Sequence, residues 1–296
     1  MKIIEKRKIS FAISLIIIAI GLVMTMINGI NLGIDFTGGT LLEIDLHQAV
    51  EVVEVREIID QYDKSASINF IGEERELVQI RTTSDFNSED RAEIFTKFKE
   101  KYELPENQPE RSQQFGPSIG KEIRNKALLS ILIAAVGMLI YISYRFEFRF
   151  GLAAVIALIH DVSIVLSVYA IFRIPINGSF VAAILTIVGY SINDTIVVFD
   201  RIRENLRFIK KSNYAQVAND SVNQTVSRSI NTSVTTLVTI AALYVLGVQQ
   251  IRDFALPLMA GVLAGTYSSI FIASPLWVMF KEKQNKTSYK TKTEMN

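Results

Sequence analysis

The sequence predicts an α-helical polytopic membrane protein: six transmembrane helices, with one small α+β domain held outside the membrane between the first and second. Three observations predict it. Mean hydropathy is +0.29 and 49% of the 296 residues are hydrophobic, more than a water-soluble domain of this length carries. Six apolar runs reach the roughly 20 residues that a spanning helix needs. The basic residues gather in alternate connections.

The runs lie at about 9–28, 126–144, 150–172, 176–200, 229–248 and 254–280. Lys2, Lys6, Arg7 and Lys8 precede the first, as in a signal peptide. That run nevertheless ends Met24-Thr-Met-Ile-Asn-Gly29 without a small-residue cleavage pattern, so it reads as an anchor. Lys and Arg collect in residues 1–8, at Arg145 and Arg149, from Arg201 to Arg228, and in the tail 281–296 at Lys281, Lys283, Lys286, Lys290 and Lys292. These segments fall on one side, which the positive-inside rule makes cytoplasmic, while the opposite short connections contribute only Arg173 and Arg252. Both termini are therefore expected in the cytoplasm of a multi-pass protein of the cell membrane. Residues 29–125 are expected to be extracytoplasmic and 126–280 to form a five-helix bundle.

The outer segment reads strand, helix, strand, strand, helix, strand. Leu41–Leu46 alternates, Val50–Ile59 has helical apolar spacing, and Ser67–Ile71 and Leu77–Thr82 alternate about a turn at Gly72-Glu-Glu. Ser88, followed by Glu89 and Asp90, starts a helix to Tyr102, before an edge strand at Arg111–Phe115. That order matches a ferredoxin-like split βαβ domain. It holds no catalytic constellation and reads as a contact or lever module. Two glycine-rich stretches flank it, Gly33 to Thr40 and Phe115 to Gly120, read as tight turns that couple helix to sheet. Gly116-Pro-Ser-Ile-Gly-Lys121 is one residue short of a phosphate loop and continues with Glu122, so nucleotide binding is rejected.

The net charge of +1 gives no bulk bias towards nucleic acid. The absence of cysteine excludes disulfides and thiolate sites, and His47 and His160 are too few for a histidine-built metal site. The chemistry therefore rests on acids inside the membrane, each costing roughly 2.5–3.5 kcal/mol on insertion scales. Asp161 lies mid-span beside His160, where helix-to-helix bonding and function are both open. Asp194 sits nearer the cytoplasmic end of the fourth span, on a polar surface with Tyr190, Ser191 and Asn193. The fifth span opens Arg228-Ser-Ile-Asn-Thr-Ser-Val-Thr-Thr236, so Asn231, Thr232, Thr235 and Thr239 can line a neighbouring wall, and Arg228 comes to the depth of Asp194, where an ion pair is possible. Gly261 and Gly265 form a small-xxx-small pair for a close crossing. Pro257 and Pro275 are expected to kink the sixth span, and Arg201 to Lys211 to lie along the inner leaflet.

Several motifs stand in one order: Gly33 to Thr40, Phe115 to Gly120, Ala157-Leu-Ile-His-Asp161, Val188 to Thr195 running on to Asn205, and Ser227 to Ser233. Together they closely resemble the SecF branch of the SecD/SecF family, over nearly the whole chain to Trp277, and that family is similar to the resistance-nodulation-division transporters. The resemblance implies an auxiliary, non-enzymatic subunit of the Sec preprotein translocase. Such a subunit acts with SecD to use the proton motive force in late steps of protein export. It implies SecD as a separate chain, the SecYEG channel, YidC and YajC, and unfolded preproteins as partners. No cofactor, metal or nucleic acid is implied, and H+ is the coupling ion, with Na+ left open. By residue it implies proton coupling at Asp194, Arg228 as its basic partner and Asp161 as a further motif aspartate, with family turns at Gly33, Asp35, Gly38, Gly39, Gly116, Pro117 and Gly120. Two rivals remain: a proton-coupled small-solute antiporter half, which needs a solute pocket, and an intramembrane aspartyl protease built on Asp161 and Asp194.

Overall fold

The structure, a computed structural model, describes residues 2–71, 76–105, 111–208, 213–247 and 249–294. The first span is α1 (Arg7–Asn28), and Leu15, Ile16, Leu22 and Met26 on it are exposed because lipid, not protein, is their solvent. Its buried residues are small, Ser10, Ser14 and Gly21, which lets its backbone approach α6 (Phe148–Phe172) closely. One turn, α2 (Ile34–Thr37), leads into the outer domain.

That domain comprises β1 (Gly39–Asp45), α3 (Val52–Ile59), β2 (Ser67–Ile71), β3 (Leu77–Thr82), α4 (Ser88–Tyr102) and β4 (Arg111–Phe115). The strands pair antiparallel in the order β2-β3-β1-β4, the split βαβ arrangement. Leu42 stands opposite Ile80 and Ile44 opposite Val78. This face is covered by Val55, Ile58 and Ile59 of α3 and by Ile94 and Phe98 of α4, each large buried side chain contributing roughly 1.5–3 kcal/mol. On the other face the Gln79 amide donates to the Glu43 carboxylate at 2.5 Å. α4 begins where the sequence places it, with Asn87 as its cap. The Asn87 side chain accepts from the Glu89 and Asp90 amides, and Asp90 accepts in return from the Asn87 amide. The turn expected at Gly72 to Glu74 lies outside the described residues.

Asp63 closes the α3–β2 connection against β3. It accepts from the amide and hydroxyl of Ser65 and from the hydroxyls of Thr82 and Ser84. Burial alone would raise this carboxyl, but the combined hydrogen bonds outweigh it and hold its pKa below the ordinary 3.8.

The remaining spans are α5 (Pro117–Arg145), α6, α7 (Gly178–Asn205), α8 (Tyr214–Leu246), and a sixth built from α9 (Gln249–Ser268), a π-helical turn (Ser269–Ala273) and α10 (Ser274–Glu294). Several helices overrun their apolar runs. Gly116 is extended and Pro117 is the first residue of α5, so the second glycine stretch starts a helix rather than making a turn. α8 starts at Tyr214 because the Asn213 side chain caps it by accepting from the Gln216 amide, and the amides of Ile3 and Ile4 donate to Asn219 on it. Arg201 to Lys211 is not a separate surface helix: α7 continues to Asn205, with Arg201 donating to Gln224 of α8, and residues 209–211 lie outside the described residues. Pro257 is accommodated within α9, and the irregularity of this span sits at the π turn just before Pro275. Proline lacks the N–H that would bond four residues back, and a π turn absorbs the slipped register.

Gly261 and Gly265 face α7. A Cβ at Gly265 would lie 2.9 Å from Ser191 Cβ, and one at Gly261 would overlap the Ile187 side chain. Gly265→Leu should therefore lose at least about 1–3 kcal/mol by overpacking, seen as a lowered unfolding midpoint of the detergent-solubilised chain. Asp63→Asn tests the outer domain. With a depressed folded pKa, the carboxylate's stabilisation is present above its unfolded value and is lost as pH falls through the folded value. The wild-type amides of β2 and β3 should lose hydrogen-exchange protection as pH drops below about 4, and the variant should start less protected at neutral pH and change less.

Candidate functional site

Asp161 is 0% exposed at the centre of α6. Its Oδ1 is 2.9 Å from His160 Nδ1, and its Oδ2 accepts from the hydroxyls of Ser191 on α7 at 2.5 Å and Ser268 on α9 at 2.8 Å. His160 Nε2 is 2.8 Å from the Ser14 hydroxyl on α1. A neutral imidazole that donates at Nδ1 to Asp161 accepts Ser14 at Nε2. The Asp161–His160 pair thus ties four helices together, with both carboxylate oxygens used.

Asp194, 9% exposed, is served differently. Its Oδ1 accepts from the Ser229 hydroxyl on α8 at 2.5 Å, and its Oδ2 is buried without a hydrogen-bond partner. The ion pair expected with Arg228 is not formed among the described residues. Ser229 faces α7, and Arg228, one residue earlier and rotated by roughly 100°, carries its long stem to the exposed side. There it lines an open cleft of about 460 Å³ with Val197, Asp200, Arg201, Glu204, Gln224 and Thr225. Val197 and Thr225 lie one helical turn from Asp194 and Ser229, so solvent in this cleft comes within a turn of the buried acid.

The other polar-pathway residues divide. Ser191 is buried but bonds Asp161 rather than Asp194, and the Tyr190 hydroxyl donates to Thr236 at 3.3 Å. Asn193, Asn231, Thr232 and Thr235 are exposed on the outside of the chain. Thr235 donates to the carbonyls of Asn231 and Thr232 on its own helix. They do not line a wall beside Asp194, because the helix turn that points Asp194 and Ser229 inward points these residues outward. The residues that do line the interior are Ser229, Ser233, Ser268 and Ser269, with Thr195 2.8 Å from Ser269 and Ser233 hydrogen-bonded to Thr266. Their signal in the sequence is faint: small hydroxyls at spacing four on α8 and a serine pair just beyond Gly265.

The outer end is a joint. The Gly33 amide donates to the Ile176 carbonyl at 2.6 Å, and the Asp35 carboxylate accepts from the Gly178 amide, at the start of α7, at 2.7 Å. Gly38 and Gly39 take φ of 84° and 140°, and a Cβ at Gly39 would run into the Thr82 carbonyl. Gly120 on α5 packs against the Phe36 carbonyl. Arg81 of β3 pairs with Asp253 of α9 at 3.3 Å, and Asn177 donates to the same carboxylate oxygen at 3.1 Å. These contacts together bind the outer domain to α5, α7 and α9. Among the described residues no group of three His, Asp or Glu side chains is placed to hold a metal ion.

Comparison with known proteins supplies the relatives. The family described as "Protein export membrane protein SecD/SecF, C-terminal" matches residues 94–283, and the SecD/SecF GG motif matches residues 23–50. The protein translocase subunit SecF of Magnetococcus marinus is 41% identical over 92% of this chain and 89% of its own length. The SecF of Pseudomonas aeruginosa is 38% identical over 90% and 87%. The crystal structure of SecDF, a translocon-associated membrane protein, from Thermus thermophilus is 36% identical with a TM-score of 0.82, covering 94% of this chain and 38% of that one. The chain therefore spans most of the SecF relatives and little over a third of SecDF.

Asp161→Ala removes the acceptor for His160, Ser191 and Ser268 together, and stranding buried donors costs about 1–3 kcal/mol each. Its unfolding midpoint in detergent should fall well below that of Asp161→Asn, which keeps an acceptor oxygen.

Proposed function

The chain belongs to the SecD/SecF protein-export family, and from that premise we propose that it is a SecF-type auxiliary subunit of the Sec preprotein translocase. In this reading Asp194 takes up and releases the coupling ion. The observation that carries it is the contrast between the two membrane acids. Asp161 has all its bonds made and works as a structural tie, whereas Asp194 has one serine donor, a buried oxygen without a partner, and a cleft reaching to within one turn of it.

Losing a proton leaves an acceptor-only carboxylate that draws donors and positive charge, and gaining one adds an O–H that needs an acceptor. Arg228, standing free of an ion pair at the mouth of the cleft among the described residues, is the nearby cation that could swing towards the ionised form. One charge moved through 100 mV is worth about 2.3 kcal/mol, a shift of about fiftyfold in a two-state equilibrium. The outer domain is fastened to the spans by Asp35 and by the Arg81–Asp253 pair, so movement of α7 or α9 is passed to the sheet.

The exposed polar face bearing Asn193, Asn231, Thr232 and Thr235 is costly against lipid. A SecD chain, which the SecDF relatives carry in the same polypeptide, supplies the surface to cover it. SecYEG, YidC, YajC and unfolded preproteins complete the proposed assembly. Clustering of basic residues at the end of the bundle remote from the sheet supports cytoplasmic termini and an extracytoplasmic domain over 29–125. No cofactor, metal or catalytic residue is proposed. Asp161 and Asp194 share no hydrogen bond and are held by different serines, which does not suit a protease dyad.

Asp194→Asn tests this. In vesicles containing the Sec channel and this chain with its SecD partner, the substitution should abolish the stimulation of export by an imposed proton gradient while leaving assembly unchanged. Full stimulation would overturn the assignment. The same vesicles with a sodium gradient in place of the proton gradient identify the ion.

A further inference from the structure

We infer that the outer end of the α1–α6 groove binds one anionic phospholipid, its acyl chain between the helices and its phosphate against Arg173 and Arg252. The groove, about 270 Å³, is lined by Ile18, Leu22 and Thr25 of α1 and by Leu166, Ala170 and Ile174 on the other wall. It opens towards the surrounding bilayer, since Leu22 is 60% and Leu166 39% exposed. A slot that opens from the side of two spanning helices meets hydrocarbon rather than water, which suits it to an acyl chain.

The groove runs into a second, polar cleft of about 700 Å³ beneath the outer domain, and the two share Asn31, Tyr169 and Ile174. These residues stand just past the end of α1 and at the end of α6, where headgroups meet the spans. The cleft contains two acids and three arginines. Both acids are engaged: Asp35 accepts from the Gly178 amide, and Asp253 is held by Arg81 and Asn177. Arg173 and Arg252 are exposed and form no ion pair among the described residues, Arg252 donating to the Val245 carbonyl. Two guanidinium groups without an acid partner among the described residues, in the polar cleft that adjoins the apolar slot, match a phosphodiester on a lipid chain, which guanidinium binds through paired N–H donors. A choline headgroup would bring a third positive charge beside these two, so an anionic lipid is favoured over a zwitterionic one.

The test uses the full chain in nanodiscs of equal parts phosphatidylglycerol and phosphatidylcholine, released into native mass spectrometry. Wild type should retain phosphatidylglycerol selectively. Arg173→Gln with Arg252→Gln should lower that retention roughly tenfold, as expected for losing charged hydrogen bonds, and the paired lysine variant should recover part of it. Ala170→Phe, which fills the slot and leaves the charges, should also lower it. Equal melting midpoints of the variants establish that folding is intact, and should the glutamine pair fail to fold, the lysine pair and Ala170→Phe decide alone. Retention without headgroup preference overturns the proposal, as does retention that Ala170→Phe leaves unchanged, which would mean a free anion site. Loss of the lipid when the SecD partner is added also overturns it, because the groove would then be a protein interface.

Discussion

The close crossing of α7 and α9 at Gly261 and Gly265 is the constraint on which the polar interior depends. Only two glycines let the helices approach until Ser191, Ser268 and Asp161 fall within hydrogen-bonding distance. Inside a bilayer no water stands in for a missing partner, so a wider crossing would strand a carboxylate and two hydroxyls together. The π turn that follows belongs to the same device. It absorbs the register change before Pro275 and sets Ser268 and Ser269 on the inward side, where they meet Asp161 and Thr195.

That packing separates two aspartates of the same residue type. Asp161 lies where four helices converge and donors are plentiful, and its role there is to hold α1, α6, α7 and α9 in place. Asp194 lies nearer the C-terminal end of α7, where Ser229 of α8 donates to one oxygen and the other is buried without a hydrogen-bond partner. Asp161 has both oxygens bonded, whereas Asp194 is short of donors within a turn of an open cleft. The two acids differ in how fully they are hydrogen-bonded rather than in residue type.

The outer domain takes its own stability from a sheet covered by two helices, and its orientation from the joint below it. Gly38 and Gly39 make the entry into β1, Asp35 reaches the start of α7, and β3 reaches α9 through Arg81 and Asp253. These short contacts fix the sheet against α7 and α9. Beside this joint Arg173 and Arg252, which form no ion pair among the described residues, line the polar cleft beneath the outer domain.

The sequence by itself determined the elements that depend on composition and period. Six apolar runs and the alternation of strands about two helices specify six spans and a split βαβ domain, since burying or exposing a backbone depends on local pattern. It also singled out Asp161 and Asp194, because a charge in an apolar run is conspicuous, and Arg228, because it opens the fifth span at the depth of Asp194. Only the tertiary structure decided what those charges touch. Arg228 and Asp194 are matched in depth yet turned to different sides, Asn193, Asn231, Thr232 and Thr235 face outward, and Ser229, Ser268 and Ser269 supply bonds that no local pattern assigns. Rotation about a helix axis is set by the neighbouring helices, and a shift of one residue turns a side chain by roughly 100°, so depth could be read along the chain while facing could not.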